Sequence, residues 1–164
     1  MIFYQTFRTI HSNFHDKIKY AHTNIITKDW KKLAKFYEIV FNCIPVPPIR
    51  SYQGEWLEKG TGVVNADLQG MQLRLPGGGD NGPRLEIYQY SKMINAERHI
   101  ANQKGFGHIA FQVEDIAGVL ALALSNGASK IGELSEHHFD NKGVFMFIYI
   151  LDPDGNIIEL LNWS

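Results

Sequence analysis

Two stretches of the chain share one pattern of hydrophobic and polar positions. Shifted by 86 residues, AHTNIITKDWKKLAKFYEIVF (21–41) aligns with GHIAFQVEDIAGVLALALSNG (107–127), and His22 falls on His108. Each stretch alternates apolar and polar residues as a strand does, continues with an Asp suited to cap a helix, and ends in an apolar stripe at helical spacing. The pattern therefore predicts a strand followed by a helix, used twice.

A second repeat supplies the strand that closes each half. Shifted by 73 residues, RLEIYQY (84–90) aligns with IIELLNW (157–163), so that Glu86 falls on Glu159. The smaller shift means that the first half carries about 13 extra residues, which we expect in IPVPPIRSYQG and PGGGDNGP. Alternation and turn residues predict further strands in CIPVPPIR, WLEKGTGVVNADL, GMQLRLP, SKIGELSE and GVFMFIYILD.

Each half is thus predicted to be a βαβββ module. Two such modules give an α+β fold, with helices on one face of curved, mostly antiparallel sheets around a central cavity. We expect the first module at 18–104 and the second at 105–164, with an added N-terminal arm at 1–17. A chain of 164 residues suits one domain built from both modules.

The matched His and Glu residues are predicted to lie on the face that the helices leave free. His108 alternates with Ile109 and Phe111, which should pack on the helix, and Glu86 and Glu159 each interrupt an apolar run. Taken singly, such residues are more often half-exposed or solvated than functional. Because one His and one Glu recur at matched positions in both halves, they can instead converge on one point. Two imidazoles and two carboxylates suit a divalent ion such as Zn²⁺, Ni²⁺, Co²⁺, Fe²⁺ or Mn²⁺.

Composition narrows the range of partners. The formal net charge of −1 gives no electrostatic reason to expect nucleic acid or an anionic membrane surface. One cysteine, Cys43, excludes an internal disulfide and favours a reducing compartment. The chain has neither a signal-peptide pattern at its start nor an apolar run that could span a membrane. We expect a soluble, cytoplasmic protein that binds neither nucleic acid nor a membrane.

Four segments carry a resemblance to a known superfamily. AHTNII...FYEIVF, RLEIYQY, GFGHIAFQVED and DPDGNIIELLNW, in a duplicated βαβββ chain, resemble the vicinal oxygen chelate superfamily. That superfamily includes glyoxalase I, methylmalonyl-CoA epimerase, extradiol dioxygenases, and fosfomycin and bleomycin resistance proteins. The resemblance extends from about Lys19 to Trp163, and its DPDGNIIEL motif is specific for the superfamily but not for one activity.

The resemblance implies a metal site and a class of reaction. His22, Glu86, His108 and Glu159 fall on the four metal-ligand positions, and this His, Glu, His, Glu set looks most like glyoxalase I, a lyase. A methylmalonyl-CoA epimerase-like racemase commonly has Gln at the position of Glu86, and an extradiol-type Fe(II) dioxygenase usually uses three of the positions. Both remain alternatives.

The shared chemistry assigns roles to individual residues. A carboxylate beside the metal moves the proton α to a carbonyl of a chelated thiohemiacetal or thioester, and Glu159 is the first choice for that base, with Glu86 second. Tyr88, Trp163, Arg74 and Arg84 are weaker candidates for substrate contacts.

A binding role without catalysis is the alternative from another class. Bleomycin resistance proteins use the same fold without a metal to sequester a ligand, although this reading predicts loss of the four ligands that the chain keeps. We expect a homodimer, since small chains often cover sheet edges by pairing. The four ligands could come from one chain or from two.

Overall fold

Both predicted strand–helix units are present in the computed structural model, which describes residues 18–94 and 100–164. In each unit an Asp caps the helix: the Asp29 carboxylate accepts a hydrogen bond from the Lys32 N–H at 3.0 Å, and Asp115 accepts one from Gly118 N–H at 2.9 Å. The predicted arm, residues 1–17, lies outside the described residues.

The helices and strands of the described residues alternate along the chain as two α+β units. Their bounds are β1 His22–Ile26, α1 Trp30–Phe41, β2 Ile44–Gln53, α2 Glu55–Thr61, β3 Asp67–Arg74, β4 Arg84–Tyr90, β5 Ile109–Gln112, α3 Ile116–Ser125, β6 Ser129–Lys130, β7 Ser135–Phe139, β8 Gly143–Leu151 and β9 Ile157–Trp163.

The two sheets have matching topology. The first has the strand order β1-β4-β3-β2, and the second has β5-β9-β8-β6, with β7 also paired to β8. Thus β6 and β7 together take the position that β2 has in the first sheet. The pairs β1–β4 and β5–β9 are parallel, whereas the other pairs are antiparallel. This topology confirms the predicted α+β fold with mostly antiparallel sheets; the module boundaries at 18–104 and 105–164 stay a prediction.

One predicted strand is wrong. Much of the segment WLEKGTGVVNADL forms the short helix α2 and the turn after it, and β3 begins only at Asp67. Residues 54–66 connect β2 to β3, whereas the corresponding connection between β7 and β8 consists of residues 140–142 alone. Most of the extra length of the first half therefore lies after β2 rather than within its proline-rich part. A second, smaller difference is that β5 begins at Ile109, so His108 lies just before the strand rather than in it.

The two modules share one hydrophobic core. Helix α1 packs on β3 and β4 of its own sheet and also contacts α3. The Phe41 ring stacks on Phe111 of the second module, with centroids 4.0 Å apart. Leu85, Ile87, Ile158 and Leu160, which flank the two glutamates, are fully buried in this core. The helices therefore cover one face of each sheet and leave the other face, which carries Glu86 or Glu159, to the site.

The DPDGN turn, which belongs to the resemblance, has a structural role at the junction of the modules. The buried Asp152 carboxylate accepts hydrogen bonds from the Tyr37 hydroxyl at 3.1 Å and from the N–H groups of Asp154 and Asn156 at 2.9 Å. The Thr27 hydroxyl at the end of β1 donates to Asp154. These hydrogen bonds hold the turn between β8 and β9 against β1 and α1. They also give the buried Asp152 oxygens the partners that buried polar atoms require.

Candidate metal centre

The first His–Glu pair bridges two strands. His22 begins β1, and the parallel register places Asn24 beside Glu86 of β4. The His22 Nε2 atom lies 3.4 Å from Glu86 Oε2. The carboxylate is the more enclosed partner, with 13 % of its side chain exposed against 47 % for His22. The imidazole therefore faces the open side of the site, and the carboxylate lies against the sheet.

The second pair repeats this arrangement in the other sheet. His108 precedes β5, and its Nε2 atom lies 3.1 Å from Glu159 Oε2 on the parallel neighbour β9. The exposed fractions of the two side chains are 33 % and 13 %. The sequence repeat therefore brings each His to its Glu through the same parallel pairing of strands.

The donor atoms have the chemistry and spacing that a divalent ion requires. Two ligands bonded at about 2.1 Å to one ion lie about 3.0 Å apart at a right angle and about 3.4 Å apart at a tetrahedral angle. Both observed N–O distances fall in this range. An imidazole nitrogen with a carboxylate oxygen also suits Zn²⁺ and its neighbours. Each pair therefore fits two adjacent ligand positions.

The four predicted ligands form two separate pairs within this chain. Among residues 18–94 and 100–164, no three His, Cys, Asp or Glu side chains are grouped so that they could hold a metal ion. The structure thus brings together His22 with Glu86 and His108 with Glu159. A single site that uses all four residues stays a prediction.

A hydrogen-bond chain supports Glu86. Gln72 lies directly opposite Glu86 on β3, and its Nε2 donates to Glu86 Oε1 at 2.8 Å. The Arg50 guanidinium in turn donates to Gln72 Oε1 at 3.3 Å and to the Pro48 carbonyl at 2.6 Å. Both Glu86 oxygens therefore have a partner, one the amide and the other His22.

Glu159 has a different neighbour at the same position. The residue opposite it on β8 is Tyr149, whose ring lies 4.9 Å from the His108 ring between centroids. Burial raises the pKa of the Tyr149 phenol, and the nearby Glu159 carboxylate raises it further, so the phenol is uncharged at neutral pH. Within the described residues, the Glu159 carboxylate contacts His108 through Oε2, and no hydrogen-bond donor lies at its Oε1.

Gln72 and Tyr149 were missed by sequence reasoning. Both lie on predicted strands, and alternation alone places them on the glutamate faces. Which glutamate each one meets depends on the register between neighbouring strands, which a single-strand pattern does not specify.

The four residues predicted as weaker candidates for substrate contacts lie in different environments. Tyr88 is buried beneath α2 with Leu57 and Leu68, and this burial raises its pKa to about 12. Trp163 is 42 % exposed at the end of β9. Arg74 forms an ion pair with Asp80, and Arg84 donates to the Asp80 carbonyl, so the glycine-rich turn already engages both. Their role in substrate binding stays a prediction.

A cavity of about 900 Å³ opens between the modules. It is lined by the end of β1, by residues 106–109 and by the DPDGN turn. Of the four predicted ligands, His108 borders it. The cavity therefore meets the second His–Glu pair from the side of β5 and does not enclose both pairs.

Comparisons with known proteins agree on the family and the fold. The family described as Glyoxalase/Bleomycin resistance protein/Dioxygenase superfamily matches residues 19–160. No curated protein sequence matches the chain. Within the described residues, none of the helices has the length and apolar character of a membrane span.

Solved structures similar to this chain have low sequence identity. A glyoxalase family protein from Bacillus cereus has a TM-score of 0.75 at 19 % identity, over 89 % of this chain and 94 % of that one. A glyoxylase/bleomycin resistance protein/dioxygenase domain from Frankia has a TM-score of 0.59 at 15 % identity, over 90 % and 98 %. The fosfomycin resistance protein FosX from Listeria monocytogenes, complexed with Mn(II) and sulfate, has a TM-score of 0.51 at 16 % identity, over 90 % and 93 %.

At such identities these likenesses show the fold, whereas the family match extends over most of the chain. It includes His22, Glu86, His108 and Glu159. The chain belongs to the glyoxalase/bleomycin resistance protein/dioxygenase superfamily, also called the vicinal oxygen chelate superfamily.

Proposed function

We propose that the chain is a divalent-metal-dependent enzyme that moves a proton α to a carbonyl group of a small-molecule substrate. The reaction is that of a glyoxalase I-like lyase or isomerase acting on a thiohemiacetal or a thioester. The observation that carries this proposal is the repeated His–Glu pair, with N–O distances of 3.4 and 3.1 Å at matched strand positions. A chance pair of surface residues would not recur at the same register of two sheets.

The residues divide the work between holding and proton transfer. A divalent ion bound by His22, Glu86, His108 and Glu159 supplies Lewis-acid chemistry, which stabilises negative charge on substrate oxygens. Glu86 is held on both oxygens, by His22 and by Gln72. Glu159 contacts His108 through Oε2, so its other oxygen is the one available to take and return the proton.

Both pairs meet at one ion in this proposal, because one pair supplies two ligands and a catalytic site of this class takes three or more from the protein. The pairs can come from one chain or from two copies, and we propose a cytoplasmic homodimer in which two copies complete each site. Metal stoichiometry measured together with the mass of the particle in solution tests this part of the proposal. One ion per chain in a dimer agrees with it, and one ion per chain in a monomer contradicts it.

Metal binding is the first test of function. The purified full chain is titrated with Zn²⁺, Ni²⁺, Co²⁺, Mn²⁺ and Fe²⁺, and bound metal is measured by elemental analysis. We expect near-stoichiometric binding that His108→Ala abolishes. The matched control is His138→Ala, because His138 pairs with Glu136 at 2.9 Å on the surface and should not affect the metal. Absence of binding, or equal loss in both variants, contradicts the metalloenzyme proposal and favours metal-free ligand binding.

Solvent-deuterium exchange distinguishes the possible reactions. NMR follows exchange at the carbon α to the carbonyl in thiohemiacetals and in acyl-CoA thioesters, with the metal that binds best. Exchange in thiohemiacetals supports the lyase, and exchange in thioesters alone supports the epimerase. No exchange in either, combined with O₂ uptake on catechols, favours the dioxygenase.

A further inference from the structure

A continuous row of aromatic side chains leads away from the second His–Glu pair. We define the aromatic row as Tyr149, Phe147, Phe145, Trp163 and Phe139. Its neighbouring ring centroids are 4.7 to 5.7 Å apart, and the Phe145 and Phe147 planes differ by 17°. Strand register puts Tyr149, Phe147 and Phe145 directly opposite Glu159, Leu161 and Trp163, so the row shares a face with the catalytic carboxylate.

The matching face of the first sheet is covered by protein. There Leu68, Tyr88 and Tyr90 occupy the positions that Phe145, Leu161 and Trp163 have in the second sheet. Helix α2 packs Leu57 over them and forms a small core of its own. The first module thus fills this space with its own helix.

The second module has no helix at this point. Residues 140–142, a short turn, join β7 to β8 where 54–66 join β2 to β3. Phe139 and Trp163 each keep 42 % of their surface exposed, and Phe145 and Phe147 are half-buried. The space that Leu57 fills over the first sheet is therefore open over the second.

The row also connects directly to the proposed chemistry. Its first ring, Tyr149, lies 4.9 Å from the His108 ring, and the Nε2 atom of His108 is 3.1 Å from Glu159. A molecule held by its oxygens at this pair would extend its carbon body over flat apolar rings. Aromatic rings favour another flat ring there, by offset stacking or edge contact.

We propose that the substrate carries an aryl group next to its two metal-binding oxygens. This rests on the proposed function and specifies its substrate class: an α-hydroxy or α-oxo compound with an aromatic ring where the simplest members have a methyl group. The oxygens lie at His108 and Glu159, and the ring lies on the near end of the aromatic row, over Tyr149 and Phe147. There the aryl group covers the face of the second sheet, as Leu57 covers the face of the first.

Mandelate and lactate test this proposal as matched probes. Both are α-hydroxy carboxylates, and they differ only in a phenyl group in place of methyl. Calorimetry on the full chain, with Zn²⁺ and without it, should give about tenfold tighter binding of mandelate. Phe147→Leu keeps an apolar residue but removes the ring, and it should weaken mandelate about three- to tenfold while leaving lactate unchanged.

Two further variants make the result specific. Tyr149→Leu repeats the test if Phe147→Leu fails to fold, because Tyr149 is the ring nearest to His108. Trp56→Leu removes an aromatic ring that is 62 % exposed on α2, outside the aromatic row, and should leave both affinities unchanged. Equal binding of the two acids overturns the proposal, as does a preference for mandelate that both row variants leave intact.

The outcomes separate this inference from the proposed function. A preference for mandelate that needs the row but not Zn²⁺ supports the aryl subsite and contradicts the metal-dependent chelation. Zn²⁺-dependent binding of both acids with equal affinity supports the metal-dependent chelation and contradicts the aryl subsite. If row variants instead change the mass of the particle in solution and mandelate does not bind, a second copy covers the row and the aryl subsite is wrong.

Discussion

The two sheets place unlike side chains on the same backbone register. Opposite Glu86 lies Gln72, which hydrogen-bonds to it, and opposite Glu159 lies Tyr149, which does not. Beyond the glutamates, the first sheet is covered by α2, whereas the second leaves its aromatic row open. The two modules thus share the geometry of the His–Glu pair and differ in the residues around it.

In the proposed enzyme, this difference separates a carboxylate that holds the ion from one that takes the proton. A carboxylate with partners on both oxygens is fixed in orientation. One with a free oxygen can accept a proton with little rearrangement. We therefore propose that the cross-strand neighbour, rather than the glutamate itself, assigns the role.

Exchanging each glutamate for its amide should have the largest effect. Glu159→Gln should slow α-proton exchange of a thiohemiacetal substrate by about 10²- to 10⁴-fold, the usual contribution of a general base. Glu86→Gln should slow it by much less, about tenfold, because the amide can keep a ligand oxygen and the chain retains its base. Metal content is measured in both variants, so that loss of ion is not taken for loss of the base. Equal losses at equal metal content would contradict the division of roles.

The junction between the modules offers the next largest effect. Tyr37 on α1 donates its hydroxyl to buried Asp152, whereas the aligned residue on α3 is Ala123, which has no such group. Tyr37→Phe should lower the free energy of unfolding by about 1.5–3 kcal/mol, the range for a hydrogen bond to a charged group. Urea denaturation measures the change, with Tyr20→Phe on an exposed residue as control. An unchanged midpoint would mean that the other donors to Asp152 suffice.

Much of the arrangement of the two sheets could be predicted from the sequence, because it depends on the spacing of apolar residues along each strand and helix. Alternation placed Glu86 and Glu159 between buried residues, and the repeat paired each with a His. Helix α2 was missed because its segment contains Trp, two Val and two Gly, which favour strand and turn, and it buries only Leu57. Its stability comes from tertiary contact, which overrides such propensities.

Contacts between residues far apart in the chain could not be predicted from the sequence, for a different reason. The hydrogen bond from Tyr37 to Asp152 joins positions far apart in the chain, and the one from Gln72 to Glu86 depends on strand register. Neither is fixed by a local pattern, since both arise only when elements pack. The sequence therefore indicated which His and Glu residues lie together but not which cross-strand neighbours they meet.

Metal affinity should respond to one cross-strand neighbour and not to the other. Gln72→Leu leaves Glu86 Oε1 without its amide donor and should weaken metal binding by about 10- to 100-fold, as loss of a ligand's supporting hydrogen bond usually does. Tyr149→Phe, at the equivalent position, keeps the ring and should change affinity by less than about threefold, since no hydrogen bond to Glu159 is lost. Calorimetric titration with the same ion measures both. Similar losses in the two variants would remove the asymmetry between the sheets.

The smallest expected effect is a fall in the free energy of unfolding at alkaline pH, caused by a buried thiol of the first module. Cys43 follows α1, and burial raises its pKa from 9.0 to about 12, whereas the aligned residue in the second module is Ser129. The unfolded thiol therefore loses its proton at a lower pH than the folded one. Its contribution to stability is complete below about pH 9 and is lost as the pH rises towards 12, by up to about 1.4 kcal/mol per pH unit. Urea denaturation between about pH 8 and 10, under reducing conditions, should show a smaller decline for Cys43→Ala than for the unmodified chain. Equal declines would mean that the thiol does not contribute.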